Sequence, residues 1–247
     1  MNTRIEHDTM GEIAVPADHH WGAQTQRSLE NFRIGGQRQP GEIITAFAYL
    51  KEACARANAR CGKLTEAQAG AIAEACRQIR AGQWDEEFPL VVWQTGSGTQ
   101  TNMNVNEVIA HLAAEQGVSL HPNDHVNASQ SSNDTFPSAL HIAAAMSVVQ
   151  DVLPAARRLE AAFARLEAAY PDLIRIGRTH LQDATPLRFS QEVSGWRELV
   201  EAPCRMLRTA LPELTKLAED SVIDFCIMHI PSDLTELSYE LIMREHV

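Results

Sequence analysis

Basic residues are scarce. Lys and Arg together number 21 against 32 Asp and Glu, a formal net charge of −11 in a chain of 247 residues. Nucleic acids and anionic membranes attract basic patches, so both are excluded as expected partners. No Cys-x-x-Cys pair occurs. The five cysteines, Cys54, Cys61, Cys76, Cys204 and Cys226, are odd in number and widely spread. That pattern reads as reduced thiols of a cytosolic protein rather than a disulfide framework. No apolar run approaches the ~20 residues of a membrane-spanning helix. Met1 to Gly11 carries Arg4, Glu6 and Asp8 and lacks the apolar stretch of a secretory signal. A soluble cytoplasmic protein is expected. Runs of alternating β-branched residues are lacking as well, which points away from sheets. What is present is ordinary for a globular chain: 45% hydrophobic and 21% charged residues.

Helical spacing dominates. After an irregular opening punctuated by Pro16, Gly22, Gly35, Gly36, Pro40 and Gly41, the apolar residues Ile43, Ile44, Phe47, Leu50, Cys54 and Ala57, with Lys51 among them, predict a helix ending at Gly62. Thr65 followed by Gln68 is a capping box that opens a second helix, closed by Gly82. A third helix is expected over 102–116, before Gly117. The polar stretch 118–135 reads as an ordered loop. An alanine-rich helix then runs from Pro137 to about Ala169, with a kink at Pro154. Residues 170–186 read as another polar connection, and a last long helix is expected over 187–217. Leu153, Leu159, Phe163, Leu166, Val193, Trp196, Leu199 and Leu207 look core-facing. The expected fold class is all-α.

Three polar segments interrupt these helices. Thr95-Gly96-Ser97-Gly98-Thr99-Gln100-Thr101-Asn102 leads into a helix. Glycines let backbone N–H groups turn toward a ligand, and hydroxyls with a helix N-terminus suit a carboxylate or phosphate. An elaborate helix cap explains the same residues. No Gly-Lys-Ser/Thr follows, so it is not a Walker loop. The second segment is His121-Pro122-Asn123-Asp124-His125-Val126-Asn127, continued by Ser129-Gln130-Ser131-Ser132-Asn133-Asp134. Its amides and hydroxyls orient a ligand without charge, or make a solvated loop. Pro122 argues against His121 and His125 as an i, i+4 metal pair, and no metal is expected. The third is Gly177-Arg178-Thr179-His180-Leu181-Gln182-Asp183-Ala184-Thr185-Pro186. His180 can move a proton near neutral pH, and Arg178 can pair with a carboxylate or cap a helix. No Ser-His-Asp order, reactive-cysteine context or nucleotide fingerprint accompanies them. Acid–base chemistry on a small anion held by neutral donors remains.

These loops, with Trp93-Gln94-Thr95 ahead of the first and the stretch from Asp8 to Arg27, resemble class II fumarase over about residues 1–218. Aspartate ammonia-lyases of the same superfamily share much of the pattern. His180, where that family carries Gln, and the Trp93-Gln94-Thr95 approach favour fumarase. The resemblance implies reversible hydration of fumarate to (S)-malate in the tricarboxylic acid cycle, without metal or organic cofactor. It implies a homotetramer whose long helices share a bundle and whose active sites each draw on three subunits. Ser97, Gly98, Thr99, Ser131, Ser132, Asn133 and Thr179 would bind substrate, and His180 would donate or accept the proton. His121, Pro122, Asn123 and Asp124 would form a second dicarboxylate site.

The implied organisation is an N-terminal lyase domain over 1–132, the first long helices of a central bundle over 133–218, and a tail over 219–247 that departs from the family. The region before His121 is short, Glu115 to Leu120. The family's later Gly-Ser-Ser-x-Met-Pro-x-Lys-x-Asn-Pro loop, which carries a serine base and a lysine anchor, does not occur. The expectation is therefore a truncated hydratase, weakly active or inactive alone. The alternatives are a non-enzymatic truncated or chimeric subunit, which binds dicarboxylate or pairs with full-length chains, and an aspartate ammonia-lyase.

Overall fold

The computed structural model describes residues 2–227 and divides the chain into two compact units, one containing residues up to Ala143 and the other Ala144–Lys216. The expected tail over 219–247 lies outside the described residues from 228 onward.

The first unit opens with a hairpin of β1 (Thr3–Asp8) and β2 (Gly11–Pro16), paired antiparallel from Thr3↔Pro16 to Asp8↔Gly11. Helix α1 (Ala23–Asn31) follows. Arg27 grips Asp8 with two bonds, Nε to Oδ2 at 2.9 Å and Nη2 to Oδ1 at 3.0 Å, and holds its carboxyl below the usual carboxylate range. Helices α2 (Gly41–Arg60) and α3 (Glu66–Arg80) pack on each other, and α4 (Thr99–Glu115) packs against both. The capping box is present: the Gln68 N–H donates to Thr65 Oγ1 at 3.2 Å, and the Thr65 N–H to Gln68 Oε1 at 2.9 Å. Phe47, Ile72, Val105, Val108, Ile109 and Leu112 form the centre of this core.

Helix α4 is buried almost all round, and it carries Glu107 into the core. That carboxylate serves the N-terminus of α1. Oε2 accepts from the N–H groups of Gly22 (2.9 Å) and Thr25 (3.1 Å) and from Thr25 Oγ1 (2.6 Å), and Oε1 from the Gln24 N–H (2.8 Å). Burial pushes the Glu107 pKa up, against the pull of these donors.

The loop expected over 118–135 is shorter than its polar composition implied. Pro122–Val126 forms a single π-helical turn, and α5 (Ser132–Ser147) begins within the expected loop. Pro137 therefore stands inside α5 rather than at its start. The kink expected at Pro154 takes the form of a wide turn over Val148–Val152, before α6 (Leu153–Ala169). Proline has no N–H to give the preceding turn, and a wider turn accommodates that loss. The stretch Ser132–Ala169 contains an 18-residue window of mean hydropathy 1.4, long and apolar enough by composition alone to cross a membrane. That is a statement of length and composition; Ala139, Ile142 and Ala143 are buried core residues.

The second unit holds a correction. The connection expected over 170–186 is a hairpin of β3 (Ile174–Thr179) and β4 (Gln182–Arg188), with a register shift between Ile176 and Arg178. Gly177 sits where a Cβ would come within 2.8 Å of Leu187 and 2.9 Å of the Thr185 carbonyl oxygen, so the strands meet there without a side chain between them. Helix α7 (Phe189–Ile227) follows and continues through Pro203. The ring of Trp196 on α7 lies 6.1 Å from that of Phe163 on α6, and the Arg197 Nε donates to Glu167 at 2.7 Å. Of the residues expected to face a core, Leu153 and Val193 are buried, whereas Leu159, Leu166, Trp196 and Leu199 are exposed, Leu199 by 73%. The chain is mostly helical, as expected, with two short hairpins added.

Candidate active site

The sequence expectation placed Thr95–Asn102 ahead of a helix. The structure starts α4 at Thr99, so its first turn includes half of that segment. Gly98 is the cap, with φ +67°. The segment before it is laced to the helix by two glutamines. Gln94 Oε1 accepts from the N–H and hydroxyl of Thr101, both at 3.1 Å; Gln100 Oε1 accepts from the N–H (3.1 Å) and hydroxyl (3.3 Å) of Thr95. Ser97 and Thr99 are thereby fixed side by side, their hydroxyls 3.0 Å apart.

The N-terminus of α5 meets this corner. Thr99 Oγ1 lies 2.9 Å from Ser132 Oγ, the first residue of α5. Three hydroxyls thus form a chain where two helices begin. Helix N-termini carry unpaired N–H groups and a partial positive charge, which favour an anion. Ser131 and Asn133 flank Ser132 and are exposed, and the Asn133 N–H donates to Ser131 Oγ at 3.3 Å.

Beneath the hydroxyls lies a buried polar network that sequence reasoning missed. Asn127 Oδ1 accepts from Lys51 Nζ (3.0 Å), Asn102 Nδ2 (3.1 Å) and Asn106 Nδ2 (3.2 Å). Gln130 Oε1 accepts from Lys51 Nζ at 2.7 Å. The signal available was the place of Lys51 on the apolar stripe of α2, between Phe47 and Cys54, where a lysine needs a buried partner. Glu107, with the apolar run Val108-Ile109-Ala110 directly after it on α4, left the same kind of sign.

His121 to Asp124 fold into a self-contained turn. The His121 N–H donates to His125 Nδ1 at 2.8 Å, and the Asp124 N–H to His121 Nδ1 at 3.2 Å. His121, Asn123 and Asp124 are exposed, with Pro122 less so. Among the described residues no group of three His, Cys, Asp or Glu side chains is arranged to hold a metal ion.

Thr179 and His180 stand in the second unit, apart in sequence from the hydroxyl corner, which belongs to the first. Thr179 pairs with Gln182, so His180 and Leu181 are the two central residues of the β3–β4 turn. Both take positive φ, 50° and 61°. Two-residue hairpins of this form normally use Asn and Gly, because a Cβ is strained there. Both residues are exposed. The structure brings Ser97, Thr99 and Ser132 into contact and sets His180 on a strained, solvent-facing tip.

Residues 11–222 match the sequence pattern of a family described as lyase. The chain belongs to that lyase family. A class II fumarate hydratase of Bacillus cereus is 54% identical over 224 residues, covering 88% of this chain and 48% of that protein. One from Listeria monocytogenes is 56% identical over 218 residues, covering 87% and 48%. The crystal structure of a class II fumarase from Schistosoma mansoni superposes with a TM-score of 0.83 at 36% identity, covering all of this chain and 56% of that one. A fumarate lyase:delta crystallin from Brucella melitensis gives 0.84 at 35% identity, covering 96% and 56%. The resemblance to class II fumarases read from the polar loops is thus supported across both units. The chain spans about half the length of the curated relatives it matches.

Proposed function

We propose that this chain contributes the carboxylate-binding part of a fumarate hydratase, interconverting fumarate and (S)-malate by acid–base chemistry. The observation that carries this reading is the Ser97–Thr99–Ser132 hydroxyl chain at the start of α4 and α5. The similarity to named fumarate hydratases over 88% of the chain supports fumarate as the substrate. In the direction from malate to fumarate, a base takes the proton from the carbon next to a carboxylate and the C–H electrons shift into that carboxylate; they then return to form the C=C bond as hydroxide departs and takes up a second proton to leave as water. Donors already aimed at the oxygens stabilise the charge that builds there. Ser97, Thr99, Ser131, Ser132 and Asn133 supply such donors. His180, in the turn after Thr179, is the proposed proton-transfer group. No metal or organic cofactor has a part in this reading. His121 to Asp124 are proposed as a second, outer dicarboxylate contact.

The exposed Leu159, Leu166, Trp196 and Leu199 support self-association, and a homotetramer is the proposed assembly. Among the described residues Cys54, Cys61, Cys76 and Cys204 form no disulfide, which supports a cytoplasmic location. A second reading, a dicarboxylate-binding subunit without turnover of its own, rests on His180 belonging to a different unit from the hydroxyls. Calorimetry with malate tests the shared element: Thr99→Val weakens binding by roughly 1–3 kcal/mol, the cost of a missing partner in a formed site. Equal affinity in both proteins refutes the binding site. Loss of fumarate absorbance with the purified chain supports the hydratase reading, and binding without it selects the second.

A further inference from the structure

We propose that Lys51 is the positioning residue of the dicarboxylate loop: its Nζ holds Asn127 and Gln130, and through them the backbone that presents Ser131, Ser132 and Asn133. This rests on the binding role proposed for those three residues. Lys51 is fully buried on the core face of α2. Its two bonds reach neutral amide oxygens, Asn127 Oδ1 at 3.0 Å and Gln130 Oε1 at 2.7 Å. A buried cation without a carboxylate is costly, and burial brings the Lys51 pKa down from 10.5 to about 7. An apolar side chain of that length would serve the core better. The lysine therefore contributes geometry rather than stability.

That geometry is local and continuous. The Asn127 Nδ2 donates to the Gln130 carbonyl at 3.1 Å, and Gln130 Nε2 donates to the carbonyls of Val126 (3.0 Å) and Ala128 (3.2 Å). The loop so closed contains Ser129 at φ +57°, a conformation that a residue with a Cβ holds only under constraint. It then passes straight into Ser131, whose carbonyl oxygen accepts from Thr135 Oγ1 at 3.1 Å. The same hydroxyl lies 3.3 Å from Asn102 Oδ1, and Asn102 Nδ2 returns to Asn127. Lys51 thus ties α2 to a ring of amides that ends at the binding residues, beside Asn58 of the same helix, whose Nδ2 donates to the Ala128 carbonyl at 3.0 Å.

The test uses the full chain with Lys51→Met and, cutting the same tie from the loop side, Gln130→Met. Three quantities are read: amide hydrogen exchange across 126–134 and across α2 and α3, the melting temperature, and malate affinity by calorimetry. Lys51→Met is expected to melt no lower than the parent at pH 6, since a buried charge is removed. It is expected to speed exchange over 126–134 but not in α2 and α3, and to weaken malate binding roughly tenfold, as loss of charge-assisted bonds predicts. Gln130→Met reproduces the effect, and the double variant adds little to it. Unchanged exchange over 126–134 in Lys51→Met overturns the proposal. So does a general rise in exchange with a falling melting temperature, which marks an ordinary core residue. If the parent chain takes up no malate, the dicarboxylate reading fails, while the exchange comparison still decides whether Lys51 holds the loop.

Discussion

Gly98→Ala is expected to damage the fold and the site through one contact. Gly98 caps α4 at φ +67°, which costs a residue with a Cβ about 1–2 kcal/mol. A Cβ there would also fall 2.1 Å from Phe136 Cγ and 2.2 Å from Cδ2. Carbon atoms rest at about 3.5–4.0 Å, so the ring must withdraw by well over ~1 Å. Phe136 is part of α5, and its ring lies 6.1 Å from that of Phe47, a fully buried core residue. Overpacking of this kind costs about 1–3 kcal/mol. The two effects together predict a loss of roughly 2–5 kcal/mol. Because Phe136 sits one turn after Ser132, any retreat of the ring draws Ser132 away from Thr99 and weakens malate binding. Urea denaturation of Gly98→Ala, Phe136→Ala and the double variant separates the causes. Phe136→Ala removes the obstacle, so the double variant loses less than the sum of the singles by about 1–3 kcal/mol, leaving the backbone strain. Additive single effects, or a Gly98→Ala midpoint within about 0.5 kcal/mol of the parent, would refute the steric argument.

Two further outcomes are expected. Glu107→Gln turns one acceptor oxygen into an N–H donor facing other donors at the start of α1, and should lower stability by about 1–3 kcal/mol in urea titration; an unchanged midpoint would show that the carboxylate is dispensable. Lys51 predicts a pH dependence. Its folded pKa is about 7 against an ordinary 10.5, so between those values the unfolded chain holds a proton that the folded chain lacks, and stability rises with pH across that window. At ~1.4 kcal/mol per pH unit the full effect is roughly 5 kcal/mol; Lys51→Met should flatten the rise, and an equal slope in both proteins would contradict it.

The helices were legible where local chemistry and packing agree. Thr65 and Gln68 form a cap whose partners are three residues apart, and the structure closes it as read. The start of α4 was missed by three residues because Gly98 reads as loop until its left-handed φ is seen. The hairpins were missed for lack of a sustained apolar alternation: β1 holds a single aliphatic residue, Ile5, and β3 holds Ile174 and Ile176 before Gly177 interrupts. Their turn gave no sign either, since His180-Leu181 occupies a geometry that ordinarily announces itself as Asn-Gly. Within the site, Ser97 and Thr99 could be named because hydroxyls beside glycine ahead of a helix have a local meaning, whereas Ser132, in a stretch without glycine, rested on the resemblance to class II fumarase. Lys51 and Glu107 could not be assigned partners, because those lie from 76 to 85 residues away in the chain.

The charge distribution gives a reason for the proposed binding corner to use hydroxyls. A chain of net charge −11 does not draw in a dianion by its overall field, and beyond about 10 Å salt screens that field in any case. Local donors must therefore supply the attraction. Ser97, Thr99 and Ser132 bring three O–H groups, two of which are occupied within the chain of hydroxyls at 3.0 and 2.9 Å. A hydroxyl rotates freely about its C–O bond, so each can turn outward when a carboxylate arrives. The bonds gained are charge-assisted and roughly twice as strong as the neutral ones given up. The α4 and α5 N-termini add about 0.3–1 kcal/mol each toward the same anion. In this structure the hydroxyls satisfy one another. A lysine at this corner would bind the dianion more simply but would stand unpaired in the empty state; the structure instead places its lysine below, at Lys51, where it holds the loop in place.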